Sequence, residues 1–315
     1  MVELDEPDHT RLRSAVSRSF APEAVRKLQP RVQVIAAELL DSIQGIGFTD
    51  VITSFALPLP LLVMCEIVGL PRDDYAIILD WSRTFSDVEN QKPTFPLYNK
   101  ASKAMLAFSD YLRTLASKRK DTPEDDLISQ LAGATKDKIM TEDELVGTVM
   151  LLLFAGHETT ANLIGNGVYT LLRHSDQLAL LRNCAERAEA AVEEIIRYEG
   201  PVQSVSIGHL TEAMELGGQT MLPGDRLMAV LGSANRDEEV FERSEEFDIT
   251  RNCRQHVGFG TGLHHCLGSI LARVEAQIAI HSIFERFPNL RLVSQKPAWR
   301  EGLITRGLTD LPVTY

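Results

Sequence analysis

The 315-residue sequence predicts a mainly α chain with small β-sheets (α+β), and three observations carry that expectation. Apolar residues recur at helical spacing through the first two hundred positions. After Gly200 the texture changes to short alternating runs broken by Gly217, Gly218, Pro223 and Gly224, the pattern of small strands and hairpins. Between these regions TEDE (Thr141 to Glu144) forms a capping box ahead of an unusually long apolar segment. The helix-rich part is 1–200 and the part with small strands is 201–315. With no internal repeat, low-complexity tract or long linker between them, 1–315 is expected to be a single domain.

Taken in order, helices are expected near 8–20, 22–44, 60–68, 73–85 and 98–120, with Pro22 in the first turn, where its missing N–H costs nothing. The capping box opens a helix running to about residue 173, roughly 45 Å of central spine. Helices near 176–183 and 185–198 follow, ended by the proline of EGPVQ. Small strands occupy 202–231, a last helix spans 267–287, and terminal strands are expected at 290–293 and 303–313.

Charge and cysteine usage exclude several function classes. The 32 basic residues against 44 acidic ones give a net charge of -12, which argues against a nucleic-acid partner. Cys65, Cys184, Cys253 and Cys266 are widely spaced without a CxxC pair, which suits a reducing, cytoplasmic compartment better than a disulfide or zinc framework. No apolar h-region follows the start. The longest apolar run, VMLLLFA at 149–155, falls far short of the ~18 residues of a membrane span.

Four short stretches carry possible chemistry. GFGTGLHHCLG (258–268) sets Cys266 behind alternating glycines and at the expected start of the last helix. There the helix dipole and free N–H groups lower a thiol's pKa and favour an anionic sulfur. An inert buried thiol, or a nucleophile with His264 or His265 as base, are the competing readings. Glu194 and Arg197 in EEIIRY share a helix face, and taken alone form a surface ion pair of little worth. AGHETT (155–160) interrupts the apolar helix with Gly156, which costs about 1 kcal/mol relative to alanine, and with polar side chains that need partners. Its bland explanation is a packing glycine with threonines bonded back to the preceding turn. In HTRLR, His9 and Arg13 share a face and suit either solvent or one ligand carboxylate.

In this order along the chain, the four stretches resemble the cytochrome P450 family, specifically its soluble bacterial haem-thiolate monooxygenases. FGTGLHHCLG matches FGxGxHxCxG at every fixed position, Glu194 and Arg197 match ExxR, AGHETT matches AGx(D/E)TT, and DEPDHTRLR matches the helix start that contacts haem. ANRD (234–237), EEFDITR (245–251) and RGLTDLPV (306–313) are similar to supporting segments.

The resemblance implies haem b (iron protoporphyrin IX), with Cys266 as the proximal thiolate and metal ligand. It implies Phe259 packed near the ring, Gly260 and Gly262 letting the loop lie close, and His264, His9 and Arg13 meeting the propionates. Ala155 and Gly156 would leave room for O₂, Thr159 would hold a hydrogen bond at the reacting oxygen, and Glu158 would feed protons inward from solvent. Glu194 and Arg197 would brace the segment before the haem loop, with Arg251 or Arg236 as third partner. Val205, Ser206, Leu303 and Ile304 would line the pocket of a small organic substrate, as in secondary metabolism.

With no flavin or nicotinamide segment, electrons would arrive from a ferredoxin or flavodoxin, at contacts such as Arg254, Arg273 and Lys118 to Lys120. Peroxide-driven oxygenation is disfavoured because it needs no Glu158–Thr159 relay. The alternative outside catalysis is a haem-binding, catalytically impaired chain or partner protein without turnover. Two departures from the family pattern bear on this. Relatives place further helices, strands and a roofing loop before HTRLR, so an N-terminally shortened fold with an open distal side is expected. Where relatives place an arginine against a propionate, Ile207 and Gly208 stand here, with His209 nearby.

Overall fold

The capping box forms as the sequence predicts. In the computed structural model, which describes residues 1–90 and 94–315, Thr141 Oγ1 accepts from the Glu144 N–H and the Glu144 carboxylate accepts from the Thr141 N–H. The helix it opens, Glu142–Arg173, is about 48 Å long and is buried on several sides by its neighbours.

The helices in chain order are α1 (Asp8–Ser17), α2 (Pro22–Ile43), α3 (Pro58–Val68), α4 (Tyr75–Asn90), α5 (Phe95–Asp121), α6 (Leu127–Lys136), α7 (Glu142–Arg173), α8 (Ser175–Arg182), α9 (Ala188–Glu199), the short α10 (Leu231–Ala234) and α11 (Ser269–Arg286). One apolar core joins them, with α3, α9 and α11 packed around α7. The strands are β1 (Phe48–Asp50), β2 (Val205–His209), β3 (Met214–Leu216), β4 (Gln219–Met221), β5 (Arg226–Ala229), β6 (Arg291–Leu292) and β7 (Pro312–Thr314). They form three small antiparallel sheets, ordered β1-β7-β6, β2-β5 and β3-β4.

Three differences from the sequence expectation have local causes. First, α6 lies in a stretch left without an assigned element. Asp126 caps it by accepting from the Ser129 N–H, and Leu127, Ile128, Leu131 and Ala132 give it a buried face only two turns long. Second, the expected strand over 303–313 shrinks to β7, because upstream backbone groups find other partners. The Arg306 N–H bonds the Pro201 carbonyl, and Val202 and Thr305 form an isolated bridge. Third, α11 begins at Ser269 with Gly268 as N-cap, two residues later than expected. Among the described residues no helix is long and apolar enough to cross a membrane.

Candidate functional site

The loop ahead of α11 is shaped by two glycines. Gly260 and Gly262 take φ of +66° and +68°, a left-handed conformation that only glycine adopts freely, and both face open space. The turn they permit lets the Cys266 N–H bond the Phe259 carbonyl at 2.9 Å. Cys266 is half-buried and three residues short of the first helical residue. Burial therefore dominates and pushes its thiol up, opposed by a bond from the Gly268 N–H and by the charges of Arg13 and Arg273. The lowered thiol expected from a helix start is not what this geometry produces.

Residues from α1 meet this loop. His9 is fully buried, neither ring nitrogen has a hydrogen-bond partner, and its ring lies 4.4 Å from that of His264. Its pKa is lowered, first by burial and then by His264 and Arg13. Arg13 donates to the His265 carbonyl at 2.6 Å, fastening α1 to the loop. Three cationic or donor-bearing side chains thus converge, with orphaned buried nitrogens among them, and among the described residues no acid is bonded to them. That donor set fits an anionic group such as a haem carboxylate, and the thiol with its open, glycine-lined loop fits the ring and metal. His209 sits exposed on β2, opposite Arg226 of β5.

On α7, Ala155 is exposed, and Thr159 donates its hydroxyl to the Ala155 carbonyl at 2.7 Å, the back-bonded arrangement of the bland reading. Gly156 is a close-approach glycine, since a Cβ there would lie 2.8 Å from Met64 Sδ on α3. On that side the room it makes is for α3. Glu158 is buried and paired with Arg300 at 2.8 Å rather than set at the solvent edge. His157, also buried, shares a 2.9 Å hydrogen bond with Ser82 of α4, and burial pushes its pKa down to about 4.

The Glu194–Arg197 pair is far from a surface ion pair. Both side chains are 0% exposed and joined by two 2.7 Å bonds. Arg197 also donates to the carbonyls of Asn235, Ser244 and Glu246, while Glu194 accepts from the Asp248 N–H. The third partner is Arg251, 3.4 Å from Glu194; Arg236 turns instead to Glu245 and the Tyr198 carbonyl. Asn235 closes the chain of contacts by accepting from the Val257 N–H at the head of the Cys266 loop.

Sequence reasoning missed a second brace. Glu193 accepts from Arg273 on α11 and from His256, and Arg273 stacks over the Phe259 ring at 4.3 Å. Burial works against the Glu193 carboxylate, yet His256 and Arg273 together hold it at about 2. The available signal was the acid next to Glu194 and the histidine two residues before the glycine loop. Arg273 is thereby engaged rather than offered to a partner protein. Lys120 pairs with Glu142 at 2.5 Å, whereas Arg254, 80% exposed, makes only a 3.4 Å contact with Glu189.

The substrate-lining candidates do come together. The Gln203 N–H bonds the Ile304 carbonyl and the Ser204 hydroxyl bonds the Leu303 carbonyl, which places Val205 and Ser206 of β2 beside that loop. Leu303 and Ile304 are 80% and 51% exposed. A polar cavity of about 380 Å³ lies next to them, reaching Arg300 and Arg306.

Comparison with known proteins agrees with this arrangement. The family model described as Cytochrome P450 matches residues 81–188 and 186–301. Cytochrome P450 107B1 of Saccharopolyspora erythraea is 42% identical over 99% of this chain and 76% of its own length. Cytochrome P450 monooxygenase PikC of Streptomyces venezuelae is 40% identical over 100% of this chain and 76% of its own. The solved structure of P450BioI in complex with hexadec-9Z-enoic acid ligated acyl carrier protein superposes with a TM-score of 0.92 at 38% identity, over 99% of this chain and 80% of that one. Fold, ordered motifs and these relatives together place the chain in the cytochrome P450 family, haem-dependent oxidoreductases that act as oxygenases.

Proposed function

We propose that residues 1–315 act as one haem domain of a cytoplasmic monooxygenase that inserts one oxygen atom of O₂ into a small organic substrate, using electrons from a ferredoxin or flavodoxin. The observation that carries the reading is the convergence of half-buried Cys266, fully buried His9 with two unpartnered nitrogens, and His264 around a glycine-opened loop. Haem b held there supplies the activation of O₂. Cys266 Sγ is its metal ligand, with Gly268 N–H donating to the sulfur. His9, His264 and Arg13 hold the carboxylates, and Phe259, Gly260 and Ala155 shape the walls.

The Thr159 hydroxyl donates to Ala155, which leaves its oxygen free to accept a proton donor on the open side. Glu158, one residue earlier and buried with Arg300, is the group that would relay a proton taken up from solvent to that oxygen. Glu194 and Arg197 keep the loop in register through Asn235. Val205, Ser206, Leu303 and Ile304 offer a mixed, mainly apolar surface to the substrate, and exposed Arg254 offers a contact to an acidic electron carrier. All four cysteines are free, as suits a reducing cytoplasm.

The test is a carbon monoxide difference spectrum of the reduced protein together with ¹⁸O₂ labelling of product. The thiolate-type Soret band is expected in the parent and its complete loss in Cys266→Ala. A band that survives this substitution, or product oxygen drawn from water, would overturn the reading.

A further inference from the structure

One face of α7 departs from the apolar pattern at four-residue intervals, at Glu158, Asn162 and Asn166, and all three are buried. Each meets the same C-terminal stretch. Glu158 pairs with Arg300 at 2.8 Å, Asn162 presses against Gly307 so closely that any Cβ there would overlap it, and Asn166 donates to the carbonyls of Arg306 and Glu199 at 3.0 Å. The Arg300 N–H bonds the Gly307 carbonyl at 2.9 Å, which closes 300–307 into a loop. Leu303 and Ile304 stand exposed at its tip.

The loop is held by its own backbone bond, by Asn166, by the Glu199–Arg306 ion pair and by bonds from Gln203 and Ser204 to the Ile304 and Leu303 carbonyls, so the Glu158–Arg300 pair is not its sole anchor. A buried carboxylate in mid-helix costs several kcal/mol unless it is paired. The chain nevertheless keeps one directly beside Thr159 and brings its partner from 142 residues away. Arg300 also lines the 380 Å³ polar cavity together with Gln203, Leu303 and Thr305, so one side of the pair faces the protein interior and the other faces that cavity.

We infer that Arg300 is a positioning residue for proton delivery: it fixes where the Glu158 carboxylate sits relative to Thr159, and makes that placement depend on the loop presenting Leu303 and Ile304. The inference rests on the reading of Glu158 and Thr159 as an acid–alcohol pair. A substrate that presses on Leu303 and Ile304 moves the loop as a unit, and Arg300 carries the displacement to Glu158. Proton supply is then set by whether the loop is seated, while the apolar contacts choose what seats it.

The test compares Glu158→Gln, Arg300→Gln, Arg300→Lys and Asn166→Ala in the haem-loaded protein driven by a ferredoxin and its reductase, with and without myristate as probe. The reading is peroxide released per O₂ consumed, in H₂O and D₂O. A second reading, independent of activity, is amide hydrogen exchange of 300–307 in the protein without haem. Arg300→Gln should raise peroxide release several-fold and enlarge its solvent isotope dependence, with partial rescue by lysine. Asn166→Ala, which loosens the loop but keeps the Glu158–Arg300 pair, should speed exchange in the loop and raise peroxide release by a smaller factor than Arg300→Gln. If Glu158→Gln uncouples and Arg300→Gln does not, the inference falls and the acid's role stands. If Glu158→Gln stays coupled, both fall. Faster loop exchange in Asn166→Ala with peroxide release unchanged would show that the acid's placement does not depend on the loop, which also overturns the inference.

Discussion

The loop that carries Cys266 and the region around Ala155, Thr159, Leu303 and Ile304 are held in opposite ways. The first is braced by two buried ionic clusters, Glu194–Arg197–Arg251 and Glu193–Arg273–His256, each joining α9 to segments far along the chain. The second rests on two ion pairs reaching the 300–307 loop, Glu158–Arg300 and Glu199–Arg306, with a few amide contacts and a back-bonded hydroxyl, and Ala155 and Leu303 are open to solvent. On the proposed function, the thiol would be a metal ligand that must be placed once and kept, whereas the second region would meet a substrate and must yield to it. The ionic bracing accordingly lies behind the thiol, where no movement is wanted.

The largest expected effect breaks the rigid side. Arg197→Ala leaves the buried Glu194 carboxylate with only the Asp248 N–H and the 3.4 Å contact to Arg251 and strips three carbonyls of their donor, so thermal or denaturant unfolding should show a loss of about 3 kcal/mol. A loss near that of a surface pair would mean that the brace is dispensable.

Next comes acid, which discriminates between the two regions through His157. Its folded pKa of about 4 lies below the ordinary histidine value, so between those two pH values the unfolded chain binds the extra proton. Stability is therefore undiminished above about pH 6.5 and falls as pH drops toward 4, by up to roughly 3 kcal/mol. His157→Gln, followed by unfolding across that range, should flatten this part of the profile. Glu193 adds its own loss only lower, as pH falls from the usual carboxylate range toward about 2.

The smallest effect on folding, and the sharpest on chemistry, belongs to the yielding side. Thr159→Ala removes a half-exposed hydroxyl and should change stability by no more than about 0.5 kcal/mol. The thiolate spectrum should persist while reducing equivalents pass to peroxide. Tight coupling in that variant would remove Thr159 from the relay.

What the sequence made legible was local. The Thr141 capping box, the first-turn Pro22 and the glycine spacing around Cys266 act over a few residues, and their geometry follows from residue type alone. The resemblance extended that reading to four ordered motifs. The rest lay in pairings across long stretches of chain: Glu193 with Arg273, Glu158 with Arg300, Arg197 with carbonyls some forty residues on. Periodicity says that a side chain is on a face but not what that face meets, so an ion pair at 0% exposure and one in solvent look alike in sequence. Gly156 shows the same limit, since its missing Cβ serves Met64, 92 positions earlier.

Glu144 has a double role. Its carboxylate accepts from the Thr141 N–H to start α7 and at the same time receives two bonds from Arg11 of α1, which with that capping bond hold it at about 2. Arg11 lies two residues from His9 and two from Arg13. The helix that carries His9 and Arg13 is thus aligned by the same carboxylate that caps the central spine. Losing Glu144 would thus loosen the start of α7 and the seat of the helix carrying His9 and Arg13 together.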